Sequence, residues 1–348
     1  MESAHFFNKI RTMKYITGIT LLIVSHLMFA QKQSSFVPGE IWKDTKGNVI
    51  NAHGGGILYH KGTYYWYGEI KKGDTWLVAD QSWECYRVPA GGISCYSSKD
   101  LLNWKYEGIA LSATTGNPDS DLDTSKVIER PKVIYNQKTK KFVLWVHLDS
   151  KDYAAAKSGV AVADQPKGPY TFVKSERPND AMARDMTIFQ DDDGKAYHFF
   201  SSENNATMHV CLLSDDYLSH TTTVKRILVD QSREAPAVIR YHRKYYLITS
   251  GCTGWSPNPA LYATADSVLA EWHQNENPCT GDNADITYGA QSTYILPVAG
   301  KKDAFIFLAD KWNKTNLPDS RYVWLPMTMK DNKPQIQWKD QWDFSFFK

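Results

Sequence analysis

The sequence predicts an all-β fold, a five-bladed β-propeller, on three observations. One unit recurs five times: a polar leading residue, a short strand, a polar turn and a second strand rich in aromatic and β-branched residues. The leading residues are His53, Glu129, Asp185, Glu234 and Gln291, roughly 50–75 residues apart, the period of a blade rather than of a small solenoid. The chain of 348 residues is 42% hydrophobic and 13% aromatic, and it shows no twelve-residue amphipathic helical run. A hairpin cannot bury both faces alone, so the units pack radially around an axis. The first residue of each innermost strand then points to the axial mouth.

In chain order, residues 1–30 read as a signal peptide. Lys9, Arg11 and Lys14 form a basic start, and the apolar run from Tyr15 to Ala30 is short for a membrane span. Residues 31–348 are then a single propeller domain, secreted or periplasmic; an uncleaved N-terminal anchor is the alternative. Residues 31–50 are expected to supply an outer strand that closes the ring against the C-terminus. The first unit, His53 to Glu69, opens with His-Gly-Gly-Gly. An oxyanion-hole loop can carry that run, but no Gly-x-Ser-x-Gly elbow accompanies it. The glycines are expected to let the backbone approach the axis or a ligand closely.

Residues 70–94 form an aromatic insertion, read either as a loop packed on the blade tops or as the wall of a cleft. The second unit is Glu129 to Tyr135 with Lys141 to Trp145. The third is Arg184 to Phe200, turning at Asp191-Asp-Asp-Gly-Lys195, which lacks EF-hand ligand spacing. Ser232 to Ser250 is the fourth. Gln291 to Leu308 is the fifth. Third strands follow at Gly92, Gly159 and Leu261, and residues 335–348 finish the last blade.

Net charge is +2, so neither nucleic acid nor an anionic membrane is an expected partner, and the chain is expected to act as a monomer. The five cysteines have no metal spacing. Cys85 and Cys95 could close a short disulfide; buried free thiols are the other reading. No cofactor is implied. A structural Ca2+ on the propeller axis suits the fold class, but no ligand set is legible.

Carboxylates gathered at one mouth suggest glycoside hydrolysis, which uses a carboxylic acid on one side of the scissile bond. That acid must stay protonated near neutral pH, and burial beside a second carboxylate achieves this. Glu234 is the acid candidate, with Asp185 on the preceding blade tuning it by like-charge repulsion. The alternatives are plain ion pairs, Glu234 with Arg233 and Asp185 with Arg184. Trp and Tyr in the loops suit sugar rings, whose C–H faces stack on aromatics.

The segments Arg184-Asp-Met-Thr-Ile-Phe-Gln-Asp-Asp-Asp-Gly-Lys-Ala-Tyr197 and Arg233-Glu-Ala-Pro-Ala-Val238 resemble glycoside hydrolase family 43, a five-bladed propeller family of inverting enzymes. Ala52-His-Gly-Gly-Gly-Ile-Leu58, Glu129-Arg-Pro-Lys-Val-Ile-Tyr-Asn136 and Thr249-Ser-Gly-Cys-Thr-Gly-Trp255 are closer still to its exo-β-1,3-galactanase group. The resemblance runs from about residue 37 to the end. It implies release of galactose from a β-1,3-galactan, with another family exo-glycosidase (a β-galactofuranosidase or an α-L-arabinofuranosidase) or a non-catalytic sugar-binding propeller as alternatives. It also implies that Glu234 is the general acid and Asp185 its modulator. Where the family places a basic Asp, this chain has His53; the galactanase group shares that departure, and Gln291 matches the amide proposed to serve instead. The resemblance gives Glu69 and Glu129 to the terminal galactose, and His53, Tyr153, Asn205, Thr253 and Trp255 are expected among the substrate contacts. A neutral amide is a very poor base, so either its imidic acid tautomer reacts or Glu129 takes the proton.

Overall fold

The computed structural model describes residues 32–347. The segment read as a signal peptide lies outside the described residues. Five four- or five-stranded sheets, antiparallel but for one short parallel pair in the last, follow one another along the described residues. Their innermost strands are His53–His60, Val127–Asn136, Met186–Gln190, Arg233–Tyr241 and Gln291–Pro297. Each is followed by a second strand: Thr63–Lys71, Lys141–Asp149, Ala196–Ser202, Lys244–Gly251 and Phe305–Lys311.

The second strands show why the sequence reads as near-continuous apolar runs. A second strand is buried on both faces, and alternate residues serve different neighbours. In blade 2, Phe142, Leu144 and Val146 pack toward blade 1, while Val143 and Trp145 pack toward blade 3. In blade 5, Phe305 and Phe307 face blade 4, and Ile306 and Leu308 face blade 1. Five apolar clusters result, one at each blade interface. The outer strands are weaker in sequence because they are sheet edges. Thr171–Glu176 and His220–Ile227 have mostly half-buried or exposed residues, and polar edges guard against pairing with other chains.

Ring closure differs from the expectation. The lead-in supplies no outer strand. A single antiparallel bridge joins Phe36 to Trp342, with Phe36 N–H donating to the Trp342 carbonyl at 2.7 Å and Trp342 N–H to the Phe36 carbonyl at 3.0 Å. The outer edge of blade 5 is instead capped by Cys279–Thr280, parallel to Lys333–Gln337. Closure rests on aromatic packing: Phe36 stacks on Trp342 with centroids 4.2 Å apart, and Trp42 meets Trp324 edge-on at 5.0 Å. All four side chains are buried.

All five cysteines are free thiols, four of them buried and Cys252 exposed; the Cys85–Cys95 pair does not form. The glycines of the first strand are tightly packed. A Cβ on Gly55 would strike the Tyr67 carbonyl, and one on Gly56 the Lys132 side chain. The Lys132 Nζ donates to the Gly54 carbonyl at 3.0 Å, and burial, then the Arg130 charge, pulls its pKa down to about 7.

Replacing Phe36 by Ala removes the stack that ties the two ends. We expect a loss of about 3–5 kcal/mol in urea unfolding; a loss below about 1 kcal/mol would show that closure does not depend on this contact.

Candidate active site

The inner strands do not start straight. The ladder shifts register between Glu129 and Lys132 and between Glu234 and Ala237. Arg130 and Ala235 sit there in the left-handed region, with φ of 57° and 53°. Each precedes a proline, which has no N–H to lose from the ladder. Non-glycine residues in this conformation cost on the order of 1–3 kcal/mol each. The bulges re-aim the leading side chains out of the pleat.

A cavity of about 730 Å3 lies where they converge, and Glu129, Asp185, Glu234 and Gln291 all line it. His53 does not. It is buried beneath the cavity, its ring stacked on Tyr322 at 4.9 Å. Burial, helped by the charges of Lys71 and Arg321, pulls its pKa down to about 3. The expected sugar contact from His53 is therefore corrected to a neutral, buried packing residue.

Arg130 holds the floor of the cavity together. Its guanidinium grips Asp185 with two bonds, Nε to Oδ1 at 3.0 Å and Nη2 to Oδ2 at 2.7 Å. It also donates to Gln291 Oε1 at 2.5 Å and to the Ser292 carbonyl at 3.2 Å. One side chain thus links blades 2, 3 and 5. The neighbours suspected from sequence point elsewhere. Arg184 donates to the Tyr153 carbonyl, and Arg233 to Thr249.

Gln291 makes four contacts. Its Nε2 donates to Glu234 Oε1 and to Ser250 Oγ, both at 3.0 Å. Its Oε1 accepts from Arg130 and from Trp312 Nε1 at 3.1 Å. Arg and Trp nitrogens only donate, so the network itself fixes which way the amide points.

The carboxyls fall into two states. Among the described residues Glu234 has no cation within ion-pair distance; burial, then the nearby Asp185 charge, pushes its pKa up to about 8 despite Arg130. Glu129 remains ionised. Burial opposes this, but Lys71 at 3.3 Å, the His147 ring and Arg130 hold its pKa well below the usual carboxylate range. Tyr153 also donates its hydroxyl to Glu129 at 3.0 Å. Lys71 lies 2.7 Å from Glu69 as well. Burial acts against the His147 cation too, yet Asp149 and Glu129 raise its pKa to about 9.

Tyr153, Asn205, Thr253, Trp255 and Glu69 also line the cavity. Asn205 Nδ2 lies 3.5 Å from Glu234 Oε2, at the limit of a hydrogen bond. Thr253 spends its hydroxyl proton inside its own loop, on the Ser256 carbonyl at 2.6 Å. Trp255 Nε1 and Arg184 Nε are buried without a partner among the described residues. The 70–94 insertion contributes Gln81, Ser82, Trp83 and Glu84 to the lining. Glu84 pairs with Lys314 at 2.5 Å, and Trp83 meets Tyr153 edge-on at 5.5 Å. Both readings of the insertion therefore hold at once: it packs on the blade tops and forms a wall.

Lys71, Arg130, His147 and Trp312 were not legible as site residues. A usable signal existed for several of them. Antiparallel pairing sets the end of each second strand beside the start of the first. Glu69 pairs with His53, His147 with Glu129, Ser250 with Glu234 and Asp310 with Gln291. Among the described residues no cluster of His, Cys, Asp and Glu is suited to hold a metal ion.

The model of the glycosyl hydrolases family 43 matches residues 56–334. The chain belongs to glycoside hydrolase family 43. The family 43 chain is similar to a solved β-1,3-galactosidase, a complex with galactodeoxynojirimycin. Identity is 44% and TM-score 0.82, covering 89% of this chain and all of that one. It is also similar to an exo-β-1,3-galactanase of Phanerochaete chrysosporium solved with β-1,3-galactotriose, at 36% identity and TM-score 0.80, over 89% of this chain and 68% of that one. Among curated proteins it is similar to a β-D-galactofuranosidase of Aspergillus niger, 25% identical over 58% of this chain and 64% of that one. The chain spans less than two thirds of the length of the curated relatives it matches.

Asp185→Asn removes a like charge and leaves Arg130 unpaired, and both changes favour ionised Glu234. The Glu234 carboxyl, followed by isotope-edited infrared titration, should titrate near 8 in the wild type and at a lower pH in Asp185→Asn. An unchanged or higher midpoint would contradict this electrostatic account.

Proposed function

We propose that this family 43 hydrolase is an exo-acting, inverting β-1,3-galactosidase that releases galactose from a β-1,3-galactan. The observation that carries the reading is a carboxyl kept protonated near neutral pH in a cavity whose other carboxylate, Glu129, is ionised. The substrate class is supported by the likeness to the β-1,3-galactosidase and the galactanase, both over most of this chain. The insertion wall, tied across to blade 5 by Glu84 and Lys314, suits a site that takes a chain end.

In this reading Glu234 gives its proton to the glycosidic oxygen as the bond to C1 breaks. A water oxygen adds to C1 from the opposite face and loses a proton to a base. Arg130 holds Asp185 in the floor, and burial with the Asp185 charge keeps the Glu234 pKa high. Arg184 Nε and Trp255 Nε1 are unspent donors for sugar hydroxyls, and Tyr153, Asn205, Thr253 and Glu69 complete the sugar contacts. Export by the N-terminal segment would bring the enzyme to its polysaccharide. Cleavage of a galactofuranoside is the second reading, favoured by the curated furanosidase match.

NMR of the galactose first released from β-1,3-galactotriose, whose leaving group is the disaccharide, should show the α anomer, and Glu234→Gln should lose about 10²–10⁴-fold in kcat/KM. β-Galactose as the first product rules out inversion. Turnover of galactofuranosides alone favours the second reading.

A further inference from the structure

We infer that Glu203 is a positioning residue: clamped on the rim of blade 3 by Arg226 and His209, it sets the turn that holds Asn205 beside Glu234. The inference rests on the hydrolase reading, in which Glu234 is the acid. Because an acid faces the glycosidic oxygen, a group beside it meets the departing sugar.

Three observations carry it. The turn between Ala196–Ser202 and Thr207–Leu213 runs through three left-handed residues, Glu203, Asn204 and Asn205, with φ of 53°, 55° and 66°. Asparagine enters this region readily, so the backbone cost falls on Glu203. The second observation is the clamp on that residue. His209 and Arg226 sit opposite each other on neighbouring strands, and both reach the Glu203 carboxylate. Arg226 donates from Nε to Oε1 at 2.6 Å and from Nη2 to Oε2 at 2.7 Å, and His209 Nε2 lies 2.9 Å from Oε1. A planar fork with a further partner is the geometry in which a half-exposed ion pair can hold a side chain. The third observation is where the turn leads. Asn204 and Asn205 line the cavity. Asn205 Nδ2 lies 3.5 Å from Glu234 Oε2 and 3.6 Å from Cys252 Sγ, so a small shift of the turn breaks both contacts. Its Oδ1 is buried without a partner among the described residues, an acceptor free for a sugar hydroxyl. Ser232 N–H, two residues before Glu234, donates to the Ala206 carbonyl at 3.0 Å, which ties the end of the turn to the acid's own strand.

Placement is separated from plain stability by leaving group and by coupling. We would measure kcat/KM on β-1,3-galactotriose and on β-galactosyl fluoride, whose leaving group carries no sugar and needs no proton. The enzymes are wild type, Glu203→Gln, Asn205→Ala, the double variant and Arg226→Lys. Glu203→Gln should lose about 10–10²-fold on the trisaccharide and less than about threefold on the fluoride. In the Asn205→Ala background it should lose nothing further, because it acts through that amide. Arg226→Lys, at an exposed position, keeps every charge but not the fork, so it should show the same split at smaller size. Equal losses for Glu203→Gln on the two substrates, or losses that multiply in the double variant, overturn the inference. A wild-type rate for Arg226→Lys on the trisaccharide would assign the effect to charge rather than placement and also overturn it. Wild type inactive on both substrates is a different failure, that of the hydrolase reading, and takes the inference with it.

Discussion

The Arg130 guanidinium is the contact on which the site depends. Its fork satisfies Asp185 with two parallel bonds, the strong geometry for a carboxylate. The same group spends its remaining donors on Gln291 and the Ser292 carbonyl. It reaches that place only because its backbone adopts a left-handed conformation at the bulge after Glu129. Local strain and the three-blade tie are thus one feature: the backbone cost is met by bonds that no extended residue at 130 could make. Lysine could supply the charge but not the fork.

With the Asp185 charge held in place, the carboxyls can differ. Glu129 is crowded by Lys71, His147 and Arg130, and stays ionised. Glu234 is buried with only amide and thiol neighbours in contact, and faces a fixed negative charge instead. Neither residue type nor strand position separates the two glutamates; both lead an inner strand in a Glu-x-Pro context. What separates them is Lys71, reaching Glu129 from blade 1, and then the second strand beside each. His147 pairs with Glu129, whereas Ser250 pairs with Glu234. A cation opposite one and a hydroxyl opposite the other divide their states.

That contrast explains what the sequence could reveal. The repeat was legible because each inner hairpin alternates its buried residues toward two neighbours, and this leaves a periodic trace. Four leading residues converge as the repeat implies. Arg130 was missed because its partner, Asp185, is 55 positions away, whereas Arg184 adjoins Asp185 and drew the pairing. Adjacent residues in extended chain point to opposite sides, so neighbours in sequence are poor candidates for an ion pair. His53 misled for a related reason. Its place in the repeat is that of a site residue, but its ring lies under Tyr322 rather than in the cavity. The lead-in and outer strands were faint because edges carry polar residues and closure uses isolated aromatics.

The most direct test of the account is to see the proton. Neutron diffraction from crystals grown near pH 7 should show a deuteron on the Glu234 carboxyl, and two on Gln291 Nε2 with one directed at Glu234 Oε1. A bare Glu234 carboxylate, or a deuteron on Gln291 Oε1, would contradict it.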